Sequence, residues 1–149
     1  MALLAERGPV AAIVDDPIDV AALHQRVADP GMGAVSLFLG VVRNSNVGRP
    51  VTGIDYEAYR PMAVAELERV VLEVQGAIAG SLIAAVHRVG TLGVGDVSIA
   101  IAAAHPRRAQ AIEAARQVIE LVKVRVPIWK LEHYVDGDRE WVDPSGAPR

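Results

Sequence analysis

Two lysines flank a proline in the stretch Leu121-Val122-Lys123-Val124-Arg125-Val126-Pro127-Ile128-Trp129-Lys130-Leu131-Glu132. Proline cannot continue a helix and biases the residue before it toward extended backbone, so Lys123 falls in a last helical turn and Lys130 on the extended segment that follows. A chain that reverses there can bring two ammonium groups and the Glu132 carboxylate to one small site, able to hold an anionic substrate or the carboxyl end of a partner. Each residue also has a plainer reading. Lys123 complements the negative end of its helix. Lys130 and Glu132, two apart on a strand, share a face and can be a solvated ion pair of little energetic worth, which turns Trp129 and Leu131 toward the core.

Other cations sit where an anion could be met. Arg43 ends a buried strand in Gly40-Val41-Val42-Arg43-Asn44, and a guanidinium projected from a rigid element suits bidentate binding of carboxylate or phosphate; the alternative is a capping or surface arginine. Arg107 and Arg108 open a helix, where free backbone N–H groups and the positive end of the macrodipole favour an anion. Cations are electrostatically misplaced there, which is mild support for a ligand, although exposed arginines need none. His87, in His87-Arg88-Val89-Gly90, reads as a satisfied structural histidine in a strand rather than a catalytic one. Gly90, Gly93 and Gly95 lack the spacing of a phosphate loop.

The elements that must position these groups follow from periodicity and punctuation. Val10 to Val14 reads as a strand, and the segment from Asp19 as a helix with Val20, Leu23 and Val27 inward. Ala34 to Val42 is a buried strand running into a polar loop, and Thr52 to Tyr59 alternates as a half-buried strand. Pro61 suits the first turn of a helix with Leu67, Val70, Val71, Val74 and Ile78 on its inner stripe. Leu82 to Val89 and Val97 to Ala104 read as a pair of strands joined by a glycine-rich turn. A third helix opens at His105-Pro106-Arg107-Arg108, with Ala109, Ile112, Ala115, Ile119 and Val122 as its apolar stripe. Beyond Pro127 the chain is extended, turning at Asp136-Gly137-Asp138 before Glu140-Trp141-Val142. Strands paired with strands between isolated helices favour an α+β fold with a mainly antiparallel sheet and about three helices, as a single domain over residues 1–149. The tail 143–149, with Pro144, Gly146 and Pro148, is expected to be flexible.

Composition excludes several classes. A formal net charge of -3 over 149 residues argues against a nucleic-acid binder that works by neutralising phosphates. The absence of cysteine removes disulfides, thiolate metal sites and a thiol nucleophile. His24, His87, His105 and His133 show no metal-ligand spacing, so no metal is expected. Met1 to Arg7 lacks the basic and apolar regions of a secretory leader, and no apolar run approaches membrane-spanning length, which points to a cytoplasmic protein.

Gly40-Val41-Val42-Arg43-Asn44, Asp55-Tyr56-Glu57-Ala58-Tyr59-Arg60-Pro61-Met62-Ala63, His87-Arg88-Val89-Gly90 and the block from Lys123 to Glu132 together resemble, in order and over most of the chain from Gly33 to Trp141, the catalytic large subunit of molybdopterin synthase. The lysine-to-glutamate block is the most specific of these. The resemblance implies an α/β-hammerhead-type fold and a homodimer of large subunits, each docking a small ubiquitin-like sulfur-carrier subunit. The implied reaction inserts two sulfurs, brought as a thiocarboxylate on the carrier's C-terminal glycine, into cyclic pyranopterin monophosphate to give molybdopterin, with no cofactor. A sulfurtransferase without a thiol must take its sulfur from another molecule's atom, which agrees with the absence of cysteine. Carried over by position, Lys123 and Lys130 are the catalytic lysines. Val41, Val42, Arg43, Arg107, Arg108, Lys123, Lys130, Leu131 and Glu132 are the substrate-binding set, with Arg43 able to enter from the neighbouring protomer. The family usually has His-Arg where this chain has Arg107-Arg108. His105, two residues earlier, is a candidate to replace that histidine from a displaced position; the alternative is a catalytically weakened paralogue that binds the carrier or a phosphorylated pterin without turnover.

Overall fold

A computed structural model describes residues 8–142. The expected flexible tail 143–149 and the N-terminal segment Met1 to Arg7 read for a leader lie outside the described residues.

A first sheet has the order β1-β5-β7-β2, from β1 (Ala11–Val14), β2 (Ala34–Val41), β5 (Leu82–Arg88) and β7 (Val97–His105). β1 pairs parallel with β5, and the other neighbours are antiparallel. Helices cover both faces. α1 (Val20–Val27) packs Leu23 and Val27 on Ala84, Val86, Ala100, Ala102 and Ala104. α2 (Arg60–Ala77) and α3 (Arg108–Arg125) cover the opposite face, where Ile83, Ala85, Ile99, Ile101 and Ala103 point. Successive side chains of a strand point to opposite faces, so a strand covered on both must be apolar without interruption, as β5 and β7 are. This parity sends His87, two residues beyond Ala85, to the face shared with α2 and α3.

The second sheet has the order β3-β4-β8-β9, from β3 (Ser45–Asn46), β4 (Arg49–Ala58), β8 (Ile128–Tyr134) and β9 (Arg139–Val142), and β6 (Gly90–Gly93) also pairs with β4. The architecture is the α+β, mainly antiparallel arrangement expected, with three helices among the described residues. Residues 90–93, expected to be only a turn, form a strand because Gly53 lets the two backbones meet. A Cβ at Gly53 would stand 2.8 Å from the carbonyl oxygen of Leu92.

Local chemistry accounts for the helix ends. The Asp19 carboxylate accepts from the Ala22 N–H at 3.0 Å, a side-chain N-cap, and Pro61 sits in the first turn of α2. At the start of α3 the His105 ring replaces a cap, Nδ1 accepting from the Arg107 N–H at 2.9 Å while Nε2 meets the Ala79 carbonyl at 3.1 Å. Both nitrogens of His105 are therefore committed to the backbone, and it has none left to replace the family histidine. The inner stripe of α3 also differs from expectation. Ala111, Ala114, Ala115, Val118 and Val122 are buried, whereas Ile112 is 60% exposed. The small alanines let the helix lie close to the sheet, and this outweighs the burial of one larger side chain.

Candidate active site

A cavity of about 330 Å³ opens where the two sheets meet the C-terminal end of α3. β2 supplies Phe38 and Gly40, β4 supplies Tyr56, β5 His87, and β7 Ser98 and Ile99. Helix α3 supplies Ile119, Val122 and Lys123, and β8 supplies Ile128 and Lys130. Pro127 makes the reversal that brings the two lysines together: α3 ends at Arg125 and β8 begins three residues later. Arg125 anchors that end by pairing with Glu66 at 2.9 Å and with Glu73 on α2. The Arg125 and Arg69 guanidiniums hold the Glu66 carboxyl below the usual carboxylate range.

Lys123, Lys130 and Arg43 all line this cavity, so the chain gathers three cations from a helix end, a strand and a loop. Lys123 and Arg43 are exposed, and the Lys130 side chain is 25% exposed. Val41 also lines the cavity and is half exposed, but Val42 is a core residue. Its side chain packs with Val51, Ile54, Leu92 and Tyr134, and its N–H and C=O bond to Asp96 and Gly95.

The parity of β8 is the reverse of that expected. Ile128, Glu132 and Tyr134 are buried on the face that carries Lys130, while Trp129 is 43% exposed. Charge alone suggested that Lys130 and Glu132 face water. The Glu132 carboxylate is instead 3% exposed and fully engaged, accepting from the Tyr134 hydroxyl at 2.7 Å and from Asn46 Nδ2 at 2.8 Å, with Lys130 Nζ at 3.5 Å. A buried carboxylate is tolerated when its lone pairs are used in this way. Glu132 therefore ties β8, Lys130 and the loop after Arg43 into one unit and is not itself in the cavity lining. Leu131 points to the other face of β8.

Arg107 and Arg108 are not brought to the lysines within the chain. They lie at the opposite end of α3, roughly 22 Å from Lys123 along the helix axis, lining a separate open cleft with Gly33, Pro106, Ala109 and Gln110. Neither makes a side-chain hydrogen bond among the described residues.

Sequence reasoning passed over Tyr56, Ser98 and His87 as cavity residues. Because β5 is buried on both faces, alternation carries no signal there, and His87 could have been found only by counting parity from Ala85 after the helices were placed. Its Nδ1 lies 2.7 Å from the Arg88 carbonyl oxygen, and its ring stands edge-on to Tyr56 with centroids 5.2 Å apart. Burial pushes its pKa down to about 4, against a smaller upward pull from the Arg88 carbonyl. Burial likewise raises the Tyr56 phenol.

Among the described residues no cluster of three or more potential metal ligands occurs, and no helix is long and apolar enough to cross a membrane. Two lysines and an arginine give the cavity wall a positive character.

The family described as MoaE protein matches residues 13–125. A Mycobacterium tuberculosis protein named molybdopterin synthase catalytic subunit 1 is 40% identical over 134 residues, covering 90% of each chain. A Drosophila melanogaster molybdopterin synthase catalytic subunit is 41% identical over 139 residues, which is 92% of this chain but only 38% of the length of the fly protein. The solved structure of molybdopterin synthase from Staphylococcus aureus superposes with a TM-score of 0.83 at 35% identity, covering 87% of this chain and 94% of that one.

Proposed function

We propose, because this chain belongs to the MoaE family, that it is the catalytic subunit of a molybdopterin synthase, a sulfurtransferase of molybdenum cofactor biosynthesis. Its substrate is cyclic pyranopterin monophosphate, and its sulfur comes from the C-terminal thiocarboxylate of a small ubiquitin-like carrier subunit. The observation that carries this reading is the convergence of Lys123, Lys130 and Arg43 on one cavity. A thiocarboxylate tail and a phosphorylated pterin are both anionic, and three cations in a partly water-excluded pocket attract both. Lys123 and Lys130 hold the tail and substrate by charge and handle protons as sulfur is transferred, since an ammonium can release a proton where a guanidinium cannot. Arg43 binds carboxylate or phosphate from the loop that Glu132 anchors. Arg107 and Arg108 offer a second anion seat at the start of α3.

Two features support further parts of the reading. β2 is an edge strand, and its outward face exposes Val35, Leu37, Leu39 and Val41, each more than a third exposed. An open edge with an apolar face is what a second copy of the chain would cover, in line with a homodimer. The name "catalytic subunit" among the relatives accords with a separate carrier partner. We assign the protein to the cytoplasm. The weakened-paralogue alternative rested on Arg107, which lies outside the lysine cavity of its own chain, so the cavity keeps its full set of cations.

The test is incubation with thiocarboxylated carrier and cyclic pyranopterin monophosphate, followed by detection of the dithiolene product. Product formation is expected. Tight carrier binding with no product would favour the non-catalytic paralogue.

A further inference from the structure

The cations of the cavity are pure hydrogen-bond donors: lysine and arginine have no acceptor to offer. They suit anions but cannot receive the ring N–H groups of a pterin. His87 is buried in the same wall, beside Tyr56 and Ser98, and is 7% exposed. A carbonyl oxygen can only accept, so the 2.7 Å contact with Arg88 places the hydrogen of His87 on Nδ1. With the ring neutral, as its desolvation dictates, the lone pair must lie at Nε2. Nε2 has no hydrogen-bond partner among the described residues, yet it is not one of the polar atoms sealed away without one; only His133 Nε2 is, and that atom lies 2.9 Å from the Asp55 carboxylate. It therefore keeps access to the cavity. The other polar lining side chains that can accept are hydroxyls, which rotate to suit their neighbours, as Ser98 does in donating to the Gly40 carbonyl at 3.2 Å, whereas the lone pair of His87 has a fixed direction.

We propose that Nε2 of His87 is the fixed hydrogen-bond acceptor of the cavity and receives a ring N–H of the bound pterin. This rests on the sulfurtransferase reading of the same site and adds to it a specificity-determining residue. The donors hold the charged ends of the ligands, while His87 reads the heterocycle and sets its orientation against Lys123 and Lys130. Its tautomer is set in advance by the Arg88 carbonyl, so no proton has to move for the site to accept.

The test uses the full-length protein with isotope-labelled histidine. Nitrogen NMR at neutral pH is expected to show His87 as the neutral Nδ1–H tautomer, and addition of cyclic pyranopterin monophosphate is expected to move the Nε2 resonance toward its hydrogen-bonded position. His87→Asn retains a donor for the Arg88 carbonyl but has no atom at Nε2, and it should weaken pterin binding about tenfold with carrier affinity unchanged. His87→Gln places an amide near Nε2 and should recover part of that loss. An Nε2–H tautomer or an imidazolium in the free protein would overturn the proposal, as would a folded His87→Asn variant with wild-type pterin affinity. Pterin that binds the wild type without moving Nε2 refutes the role of His87 alone. A wild type that does not bind the pterin refutes the sulfurtransferase reading and this inference with it. The NMR arm decides the matter if the variants fail to fold.

Discussion

Replacing Glu132 with alanine is expected to destabilise the protein by about 3–5 kcal/mol. The carboxylate is 3% exposed and accepts two charge-assisted hydrogen bonds, from Tyr134 at 2.7 Å and Asn46 at 2.8 Å, with Lys130 Nζ at 3.5 Å. Hydrogen bonds to a charged group contribute roughly 1.5–3 kcal/mol each, and the alanine variant leaves the buried Tyr134 hydroxyl without its acceptor. Glu132→Gln separates the hydrogen bonds from the charge. Both hydrogen bonds end on Oε2, so an amide oxygen in that place can still accept from Tyr134 and Asn46 while the new NH₂ takes the Oε1 place opposite Lys130 Nζ, and the cost should be nearer 1–2 kcal/mol. Urea denaturation of both variants measures this as a lower midpoint at constant slope. Because the same carboxylate holds Lys130 and the loop after Arg43, turnover should also fall under conditions where the variant is still folded. A loss below about 1 kcal/mol for Glu132→Ala would show that water reaches this carboxylate and that the tie between β8 and the loop contributes nothing.

Four further outcomes are expected. A Cβ on Gly33 would stand 2.2 Å from the Pro106 carbonyl oxygen, so Gly33→Ala should cost about 1–3 kcal/mol by thermal or urea unfolding, and a neutral result would mean that the backbone there yields easily. Burial lowers His87 from 6.5 to about 4, so as pH falls the unfolded chain takes up this proton first; stability should be lost between those two values, by about 3 kcal/mol in all, and His87→Gln should flatten that part of the profile. Glu113, held down to about 2 chiefly by its hydrogen bonds from Arg116, contributes above the ordinary carboxylate range and loses its effect as pH falls from there toward 2, so the two windows are separable in acid titrations of the variants. Lys130→Arg should retain substrate binding better than turnover, because guanidinium keeps the charge but cannot release a proton, and equal rates for the two forms would show that charge alone matters.

Much of the frame could be read from the chain because its signals are local. Asp19 caps α1 and Pro61 opens α2 as their types suggest, and Pro127 converts a helix end into a strand start. What could not be read depends on contacts distant in sequence. The inner stripe of α3 is shifted because Ala111 and Ala114 meet a sheet whose closeness no helix pattern reveals. The inward turn of Lys130 and Glu132 depends on Asn46, 86 residues away from Glu132, and Tyr134, since only a complete set of partners makes a buried carboxylate tolerable. The resemblance grouped Arg107 and Arg108 with the lysines, whereas the length of α3 holds them apart within one chain.

The central claim is that the cavity of Lys123 and Lys130 transfers sulfur from the carrier's tail to the pterin. Mass spectrometry of the carrier after mixing tests it most directly. With wild-type protein and cyclic pyranopterin monophosphate, the carrier's C-terminal thiocarboxylate should be converted to carboxylate as dithiolene appears. Lys123→Ala, whose exposed side chain leaves stability within about 0.5 kcal/mol, should leave the thiocarboxylate intact. Conversion at the wild-type rate by a folded Lys123→Ala protein would contradict the account.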